Sequence, residues 1–211
     1  KVLRKILEAN DRIAEENRKI FGQAGAYVLN LMSAPGAGKT TLLEKTIDAL
    51  SGKIRIGVIE GDIETDKDAV RVASKGAPVV QINTGGACHL DANMIRAVLP
   101  ELPLKDIELL FIENVGNLVC PAEFDVGENE KVMILSIAEG EDKPLKYPLM
   151  FQESSALLLN KIDLLPYVDC NINNIKEDVH KLNPKIKIFE VSCMTGEGLD
   201  NWYSWLLARN G

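Results

Sequence analysis

The sequence predicts an α/β fold with a doubly wound, mostly parallel sheet, and three observations support this prediction. The chain has 211 residues, 46% of them hydrophobic, which is enough for a single large core. Short apolar runs rich in β-branched residues alternate with segments of helical length. These runs lack polar alternation, which is typical of strands buried on both faces of a parallel sheet.

The predicted elements begin with an amphipathic helix. Apolar side chains such as Leu3, Ile6 and Ile13 recur at helical spacing among charges, which predicts a helix that ends at Gly22 and packs on the domain or on a partner. Strands are expected at 27–32, 54–59, 78–82, 109–112, 132–137, 156–159 and 186–191, and the main helices at 39–50, 66–75, 91–99, 175–182 and 199–208. The chain therefore divides into an N-terminal amphipathic helix, residues 1–22, and one domain, residues 23–211.

The composition argues against several classes of protein. The net charge of -7 gives no basic surface for nucleic acid or an anionic membrane, so we expect no partner of either kind. No apolar run approaches the ~20 residues that span a bilayer, and the charged N-terminus lacks a signal-peptide core. The 4 cysteines are too few and dispersed for a disulfide framework. We expect a cytoplasmic protein with free thiols or metal-ligating cysteines.

A phosphate-binding loop follows the first predicted strand. The segment from Ser33 to Thr41 reads Ser-Ala-Pro-Gly-Ala-Gly-Lys-Thr-Thr, and it departs from the P-loop pattern only in Ser33, where a glycine usually stands. The glycines let backbone N–H groups face a phosphate, Lys39 reaches the β- and γ-phosphates, and Thr40 offers a hydroxyl to magnesium. The residues assigned to the nucleotide phosphates are Gly36, Ala37, Gly38, Lys39, Thr40 and Thr41.

Two carboxylates are expected on the same side of the sheet. Asp62 follows the second strand, and Glu113 ends the fourth before Asn-Val-Gly. One carboxylate there can hold magnesium and another can orient the attacking water. Each is also compatible with a solvated acid or a helix cap, and some of Asp62, Asp66 and Asp68 must be of that kind. We assign catalysis to Lys39, Asp62 and Glu113, and magnesium to Thr40 and the same two acids.

A guanine-binding motif ends the sixth strand. The sequence Asn160-Lys161-Ile162-Asp163 provides a carboxylate for the two donors of guanine, N1–H and the exocyclic amine. Asn160 can complete the contact at the other edge, and Lys161 can pack along the base. Adenine lacks that donor pair, and a site built to hydrogen-bond one group rejects the analogue that lacks it. The domain at 23–211 is therefore predicted to be a P-loop GTPase.

A second loop is expected to contact the base. The segment 192–198 reads Ser-Cys-Met-Thr-Gly-Glu-Gly and looks like the Ser-Ala-Lys loop of GTPases, whose backbone contacts the guanine carbonyl. Cys193 and Met194 replace the usual alanine and lysine. Ser192 and Cys193 are therefore assigned to the nucleotide through backbone contacts.

A cysteine and histidine set forms a candidate metal site. Cys88 and His89 are adjacent, and Cys120 lies in a later loop. Thiolate and imidazole suit zinc, nickel or copper. A helix-start histidine and two buried cysteines are the alternative interpretation. Since Cys120 shares its loop with Glu113 and Gly116, a metal there would respond to movement of the segment that senses the γ-phosphate.

Taken together, the motifs resemble the hydrogenase maturation nickel-insertion GTPase family (HypB). The matching segments are the phosphate loop, Glu-Gly-Asp, Asn-Thr-Gly-Gly-Ala-Cys-His-Leu-Asp-Ala, Ile-Glu-Asn-Val-Gly-Asn-Leu-Val-Cys-Pro, Glu-Gly-Glu-Asp-Lys-Pro-Leu-Lys-Tyr-Pro and Asn-Lys-Ile-Asp. They span nearly the whole chain. Related urease-accessory GTPases carry a Cys-Pro-His motif, whereas here Cys120 is followed by Pro121 and Ala122.

The resemblance implies a GTPase of the dimerising metallochaperone class. In that class GTP favours a homodimer, and Cys88, His89 and Cys120 would bind zinc or nickel at or near the subunit interface. The implied partners are the nickel-insertion accessory protein and the large subunit of a nickel-iron hydrogenase. The dimer surface could use Leu164 and Leu165, although both could equally be core. Neither the N-terminal cysteine motif nor the histidine-rich tract of some members is present in these residues.

Two other functions are compatible with parts of the sequence. An ATP-dependent small-molecule kinase would also use the phosphate loop and the sheet, but Asn160 and Asp163 argue against it. A non-catalytic metal-binding scaffold with a nucleotide sensor site would use the same residues without turnover. The leading hypothesis is a slow, magnesium-dependent GTPase that binds GTP and GDP and delivers nickel.

Overall fold

The computed structural model describes residues 2–62 and 67–209, with side chains from Lys5 onward. Its strands are β1 Tyr27–Ser33, β2 Ile56–Asp62, β3 Val79–Asn83, β4 Leu109–Glu113, β5 Glu130–Ser136, β6 Ser154–Asn160 and β7 Lys187–Glu190. They form one sheet in the order β3-β2-β4-β1-β5-β6-β7, and every neighbouring pair is parallel. The predicted doubly wound α/β fold is confirmed.

Helices cover both faces of this sheet. Within the described residues they are α1 Val2–Ala24, α2 Lys39–Leu50, α3 Lys67–Ala73, α4 Ala92–Val98, α5 Cys120–Glu123, α6 Lys143–Lys146, α7 Pro148–Gln152, α8 Ile172–Leu182 and α9 Leu199–Leu207. Short 3-10 turns follow at Leu99–Glu101, Leu104–Asp106, Ile137–Glu139 and Ile162–Tyr167. The start of the helix expected at 66–75 lies at Asp66, outside the described residues.

The core is divided by the sheet into two sides. On one side, α2, α3 and α9 pack against the strands through side chains such as Leu42, Val72 and Trp202. On the other side, α7 and α8 cover one half of the sheet, and α1 and α4 cover the other. All five residues of β4 are buried, because this strand lies near the centre of the sheet with helices on both faces. Apolar runs without alternation are therefore what this architecture requires.

The N-terminal helix is attached to the domain by buried polar contacts. Asn17 is 0% exposed and donates from Nδ2 to the Ala92 carbonyl at 2.8 Å. Arg18 forms an ion pair with Asp125 at 2.6 Å, and Phe21 packs into the core. These contacts fix α1 beside the start of α4.

The end of α1 corrects the sequence-based boundary. The helix was expected to end at Gly22, but it continues to Ala24. Gly25, with φ of 76°, provides the left-handed residue. Its N–H bonds the Gly22 carbonyl at 3.2 Å, and the Ala26 N–H bonds the Phe21 carbonyl at 3.0 Å. This is the Schellman pattern, in which the left-handed glycine determines the helix end.

Two other boundaries differ because of capping residues. The helix expected to begin at 175 begins at Ile172, since the Asn171 side chain accepts a hydrogen bond from the backbone two residues later at 3.0 Å. The strand expected to reach 137 ends at Ser136. There Ser136 and Glu139 form a capping box that starts a 3-10 turn.

The parallel topology gathers the loops that follow the strands at one edge of the sheet. The register pairs Glu60 of β2 with Glu113 of β4 and Ser136 of β5 with Asn160 of β6. The residues singled out in the sequence therefore meet at the carboxyl edge, where ligands bind in such folds. In the part of the chain that the structure describes, no helix is both long and apolar enough to cross a membrane.

Candidate functional site

The phosphate loop connects β1 to α2 and has the backbone shape that its glycines predict. Gly36 and Gly38 have φ of 75° and 105°, in the left-handed region that favours glycine. A Cβ on Gly38 would also collide with the Asn160 side chain. Gly38 precedes the first residue of α2, so the loop presents the N-terminus of a 12-residue helix to a ligand.

Ser33 and Lys39 are in contact inside this loop. Lys39 is 9% exposed and Ser33 is 0% exposed, and Nζ of Lys39 donates to Oγ of Ser33 at 2.9 Å. Burial lowers the pKa of Lys39, and Glu113 opposes that shift. Ser33, which replaces the first glycine of the usual pattern, therefore gives the lysine ammonium a partner. The sequence pattern did not predict this contact.

A cavity of about 440 Å³ lies over the loop, within the range of small-molecule sites. Its lining combines the phosphate loop, the ends of β2 and β4, and α3. The lining residues include Lys39, Thr40, Thr41, Glu60, Asp62, Arg71 and Glu113. The structure thus brings the three proposed catalytic residues, Lys39, Asp62 and Glu113, to one cavity. Arg71 is a cation that sequence reasoning missed, and it is ion-paired with Glu44 at 2.6 Å.

Glu113 lies at the floor of this cavity. It is 4% exposed, and its Oε1 accepts from the Thr40 hydroxyl at 2.9 Å. Burial raises the pKa of Glu113 to about 7, and Lys39 and Thr40 oppose the shift. Oε2 of Glu113 is buried and has no hydrogen-bond partner among the described residues. Such an oxygen is costly to bury alone and is suited to a cation.

Glu60 is a second buried acid, which sequence reasoning missed. It is 2% exposed and pairs in register with Glu113 on the neighbouring strand. Burial, Glu113 and Asp62 together raise the pKa of Glu60 to about 8. Its Oε2 also lacks a partner in the described parts of the chain. The available signal was an acid directly after the apolar run of the second strand, two residues before Asp62.

The oxygen ligands in this cavity fit a magnesium ion. The Thr40 hydroxyl and the carboxylates of Glu60, Asp62 and Glu113 line the same space, and two of their oxygens are buried without partners. Magnesium prefers carboxylate, hydroxyl and water oxygens, together with the phosphates of a nucleotide. The chemistry of the donor set therefore agrees with the cation that a nucleotide site requires.

Glu60→Gln is expected to make the nucleotide-free protein more stable at high pH. The folded pKa of about 8 lies above the ordinary glutamate pKa of 4.5, so ionisation of Glu60 destabilises the folded state progressively from about pH 4.5 to pH 8. The glutamine side chain of the variant does not ionise, so the variant avoids this loss of stability. One pKa unit corresponds to about 1.4 kcal/mol, so we expect a gain of at least about 1 kcal/mol at pH 8, or about 2–4 °C in Tm.

Calorimetry with EDTA and without nucleotide, at pH 5 and pH 8, tests this expectation. The exposed acid Glu153 provides the matched control, Glu153→Gln. An equal Tm difference between Glu60→Gln and wild type at both pH values would contradict it.

The proposed base-binding residues are held together by hydrogen bonds. Oδ1 of Asp163 accepts from the Ser192 hydroxyl at 2.5 Å, which orients the half-buried carboxylate. Nζ of Lys161 donates to the Gly36 carbonyl at 2.7 Å, so this lysine reaches across to the phosphate loop. Lys161 has φ of 66° and is the one non-glycine residue with positive φ in the described ranges. Such left-handed conformations of non-glycine residues are uncommon and cluster at functional sites.

Asn160 connects three segments of the site. Its Nδ2 donates to the Ala37 carbonyl at 2.8 Å, and its Oδ1 accepts from the Lys161 N–H at 2.8 Å and the Cys193 N–H at 3.2 Å. The sequence suggested a contact with the base edge, which stays a prediction. The structure adds a bridging role between the phosphate loop and the backbone of Cys193, which is 5% exposed.

Cys88, His89 and Cys120 form a compact cluster. Their potential ligand atoms all lie within 4.8 Å of one another. The thiols of Cys88 and Cys120 are 2.8 Å apart, and Sγ of Cys88 is 3.6 Å from Nδ1 of His89. The topology brings the loop after β3 beside the start of α5, across 32 positions of sequence. The soft ligand set suits zinc, nickel or copper.

The protonation of the cluster makes metal binding stronger as the pH rises. The hydrogen bond with Cys88 and burial raise the pKa of Cys120 to about 11, and burial lowers the pKa of His89. A metal binds thiolates and neutral imidazole, so it must displace the thiol protons. The His89 ring lies on Phe124, with centroids 3.9 Å apart, which fixes its orientation.

The two leucines of the predicted dimer surface differ in exposure. Leu164 is half-buried and packs against the core beside α7 and α8, whereas Leu165 is 36% exposed. Only Leu165 of this pair offers a substantial apolar surface to another subunit. Their role in a dimer stays a prediction.

Comparison with known proteins identifies similar chains. A family model for the CobW/HypB/UreG nucleotide-binding domain matches residues 27–190. The hydrogenase maturation factor HypB of Escherichia coli is 52% identical over 201 residues, which are 95% of this chain and 69% of that protein.

Two solved structures are similar along nearly their whole length. HypB from Archaeoglobus fulgidus superposes with a TM-score of 0.91 at 38% identity, covering 97% of this chain and 100% of that one. HypB from Helicobacter pylori, solved in complex with nickel, gives a TM-score of 0.91 at 40% identity, covering 96% and 95%.

Proposed function

The chain belongs to the hydrogenase maturation factor HypB family, within the CobW/HypB/UreG nucleotide-binding domains, and from this membership we propose its function. We propose that it is a GTP-hydrolysing metallochaperone that couples GTP binding and hydrolysis to nickel delivery during maturation of a nickel-iron hydrogenase. The observation that carries the proposal is the segment 113–120, which has Glu113 in the phosphate cavity and Cys120 in the cysteine and histidine cluster.

In this proposal, the phosphate loop binds GTP through backbone N–H groups and the N-terminus of α2. Lys39 leaves Ser33 and bonds the β- and γ-phosphates. Thr40, Asp62 and Glu113 hold magnesium, with Glu60 beside them. Magnesium, when bound, neutralises charge on the phosphates. One acid near the γ-phosphate orients the attacking water, and hydrolysis yields GDP and phosphate.

The base contacts give selectivity for guanine. Asp163, oriented by Ser192, accepts from N1–H and the exocyclic amine. Lys161 lies along the base, and the backbone of Cys193 faces its carbonyl. ATP presents no matching donors, so an ATP-dependent kinase would need a different base site. Competition between GTP and ATP distinguishes the two functions.

Nickel is the cargo in this proposal, and Cys88, His89 and Cys120 are its ligands. Three protein ligands leave a coordination position for exchange with another protein or subunit. The similarity to the Helicobacter pylori protein solved with nickel supports this cargo, and zinc is the competing occupant. A GTP-favoured homodimer, the nickel-insertion accessory protein and the hydrogenase large subunit are the proposed partners, in the cytoplasm.

The decisive experiment titrates nickel and zinc into the pure protein in its GDP form and with a non-hydrolysable GTP analogue. Bound metal and molecular mass are followed together. The proposal expects the nucleotide to change both the metal affinity and the dimer population. If neither changes, the GTPase assignment can stand but the nickel-delivery mechanism is wrong. Metal and GTP binding without turnover at dimer-forming concentrations would instead support the non-catalytic scaffold.

Cys88→Ala is expected to remove a metal ligand and leave the nucleotide site intact. Loss of one of three ligands should reduce metal affinity by at least about tenfold, because even outer-shell changes cost about 10–100-fold. GDP affinity should stay within about twofold. The matched control is Cys170→Ala, since Cys170 is a half-buried thiol outside the cluster. Equal metal binding by Cys88→Ala and wild type would show that Cys88 is a packing residue and not a metal ligand.

A further inference from the structure

We propose that Asn114 is a positioning residue that transmits the nucleotide state to Cys88 and His89, the two adjacent ligands of the metal site. This inference rests on the proposed function and extends it, because it names the side chain through which the two sites communicate. Asn114 is 1% exposed and lines the phosphate cavity beside Glu113. Sequence reasoning linked the sites only through Cys120.

The segment that contains Asn114 lies on the phosphate loop. Glu113, its direct neighbour, bonds the Thr40 hydroxyl. A Cβ added to Gly116 would lie 3.0 Å from atoms of Pro35, so backbone and loop are in close contact there. The N–H of residue 117 bonds the Ser33 carbonyl at 2.9 Å. A γ-phosphate that moves the loop must therefore move this segment as well.

The Asn114 side chain connects that segment to the metal site through hydrogen bonds. Its Oδ1 accepts from the Leu90 N–H at 3.0 Å and from the Val115 N–H at 3.0 Å. Leu90 directly follows His89. One amide oxygen therefore joins the backbone after Glu113 to the backbone after His89.

Leu90 has little freedom to move independently of this bond. It is 0% exposed, and a Cβ added to Gly61 would lie 2.7 Å from its Cδ1. Leu90 thus packs over Gly61, between the two acids of β2. Tight packing converts small displacements into discrete rearrangements.

The other end of the Asn114 amide is anchored in the centre of the sheet. Nδ2 donates to Oδ1 of Asn30 on β1 at 3.1 Å, and Nδ2 of Asn30 donates to Oε1 of Glu128 at 3.2 Å. These bonds determine which atom of the Asn114 amide faces Leu90. A change in the backbone at Val115 must then lengthen or shorten the bond to Leu90, because the amide cannot rotate freely.

Asn114→Ala tests the inference by removing this oxygen. The zinc dissociation constant is measured for wild type and variant, each with GDP and with a non-hydrolysable GTP analogue. We expect the ratio of the two zinc dissociation constants of wild type, one in each nucleotide form, to lie in the range typical of allosteric coupling, about 5–150-fold. The ratio should fall to within about twofold of one in Asn114→Ala, while both nucleotides still bind.

The control is Asn183→Ala, which removes a half-buried amide. Nδ2 of Asn183 bonds the Phe151 and Ser154 carbonyls at 3.0 and 2.8 Å, away from both sites, so its ratio should match wild type. A wild-type ratio retained by Asn114→Ala would overturn the inference and leave the proposed function standing. A ratio of one in wild type would overturn both.

Amide exchange at Leu90 in the wild-type protein tests the same inference without a variant. The exchange rate of its N–H, measured by NMR without metal, should differ between the GDP and GTP-analogue forms by at least about fivefold, the lower end of typical coupling. Equal rates would overturn the role of Asn114, even if the variant does not fold.

Discussion

Lys39→Ala is expected to abolish GTP turnover and to weaken nucleotide binding by at least about a hundredfold. The Lys39 ammonium is buried in the phosphate cavity and bonded to Ser33. Hydrogen bonds to charged groups contribute about 1.5–3 kcal/mol each, and a tenfold change corresponds to about 1.4 kcal/mol. Two such bonds to the β- and γ-phosphates therefore account for the expected loss. No other side chain of the loop carries a positive charge.

Isothermal titration with a non-hydrolysable GTP analogue and a phosphate-release assay with GTP measure this effect. Lys45→Ala is the matched control, because Lys45 lies on the same helix with an exposed side chain and should bind and hydrolyse GTP like wild type. Normal GTP hydrolysis by Lys39→Ala would show that the assignment of this loop to the nucleotide phosphates is wrong.

Asp163→Asn is expected to change the base that the site prefers. A carboxylate accepts from both donors of guanine, whereas an amide offers one acceptor and one donor. The amide N–H₂ would face the exocyclic amine, so GTP affinity should fall by at least about a hundredfold, since sites that lose a required hydrogen bond lose up to about 10⁴–10⁵-fold. Xanthine has a carbonyl at that position and can accept from the amide. XTP should therefore bind the variant better than GTP.

Competition of GTP, XTP and ATP against a fluorescent GDP measures the preference. Asp169→Asn, a substitution at an exposed acid a few residues along the chain, should leave it unchanged. If Asp163→Asn kept the wild-type preference for GTP, the guanine assignment would be wrong, and the kinase alternative would become the stronger one.

Local motifs could be predicted because their meaning lies within a few residues. The phosphate loop needs left-handed glycines and a following helix, and both are encoded between Ser33 and Thr41. The parallel sheet follows from apolar runs that alternate with helical segments. Helix ends were less predictable, since Gly25 rather than Gly22 ends α1.

The contacts between distant segments could not be predicted in the same way. Cys88 and Cys120 were grouped by chemistry and resemblance, but their 2.8 Å separation depends on how the loop after β3 meets α5. Glu60 becomes a partner of Glu113 only through the register of β2 with β4. A shift of that register would place the acid elsewhere along the strand.

The fold class and the phosphate loop could be predicted from the sequence alone, because they depend on periodicity and on local backbone geometry. The guanine motif and the candidate metal ligands were predicted from the chemistry of their side chains and from resemblance. The bond from Asn160 to the Ala37 carbonyl and the bond from the Leu90 N–H to Asn114 depend instead on the tertiary structure. Buried polar groups must find partners wherever packing brings them. Those partners lie far apart in the chain, so only the assembled sheet and its loops reveal them.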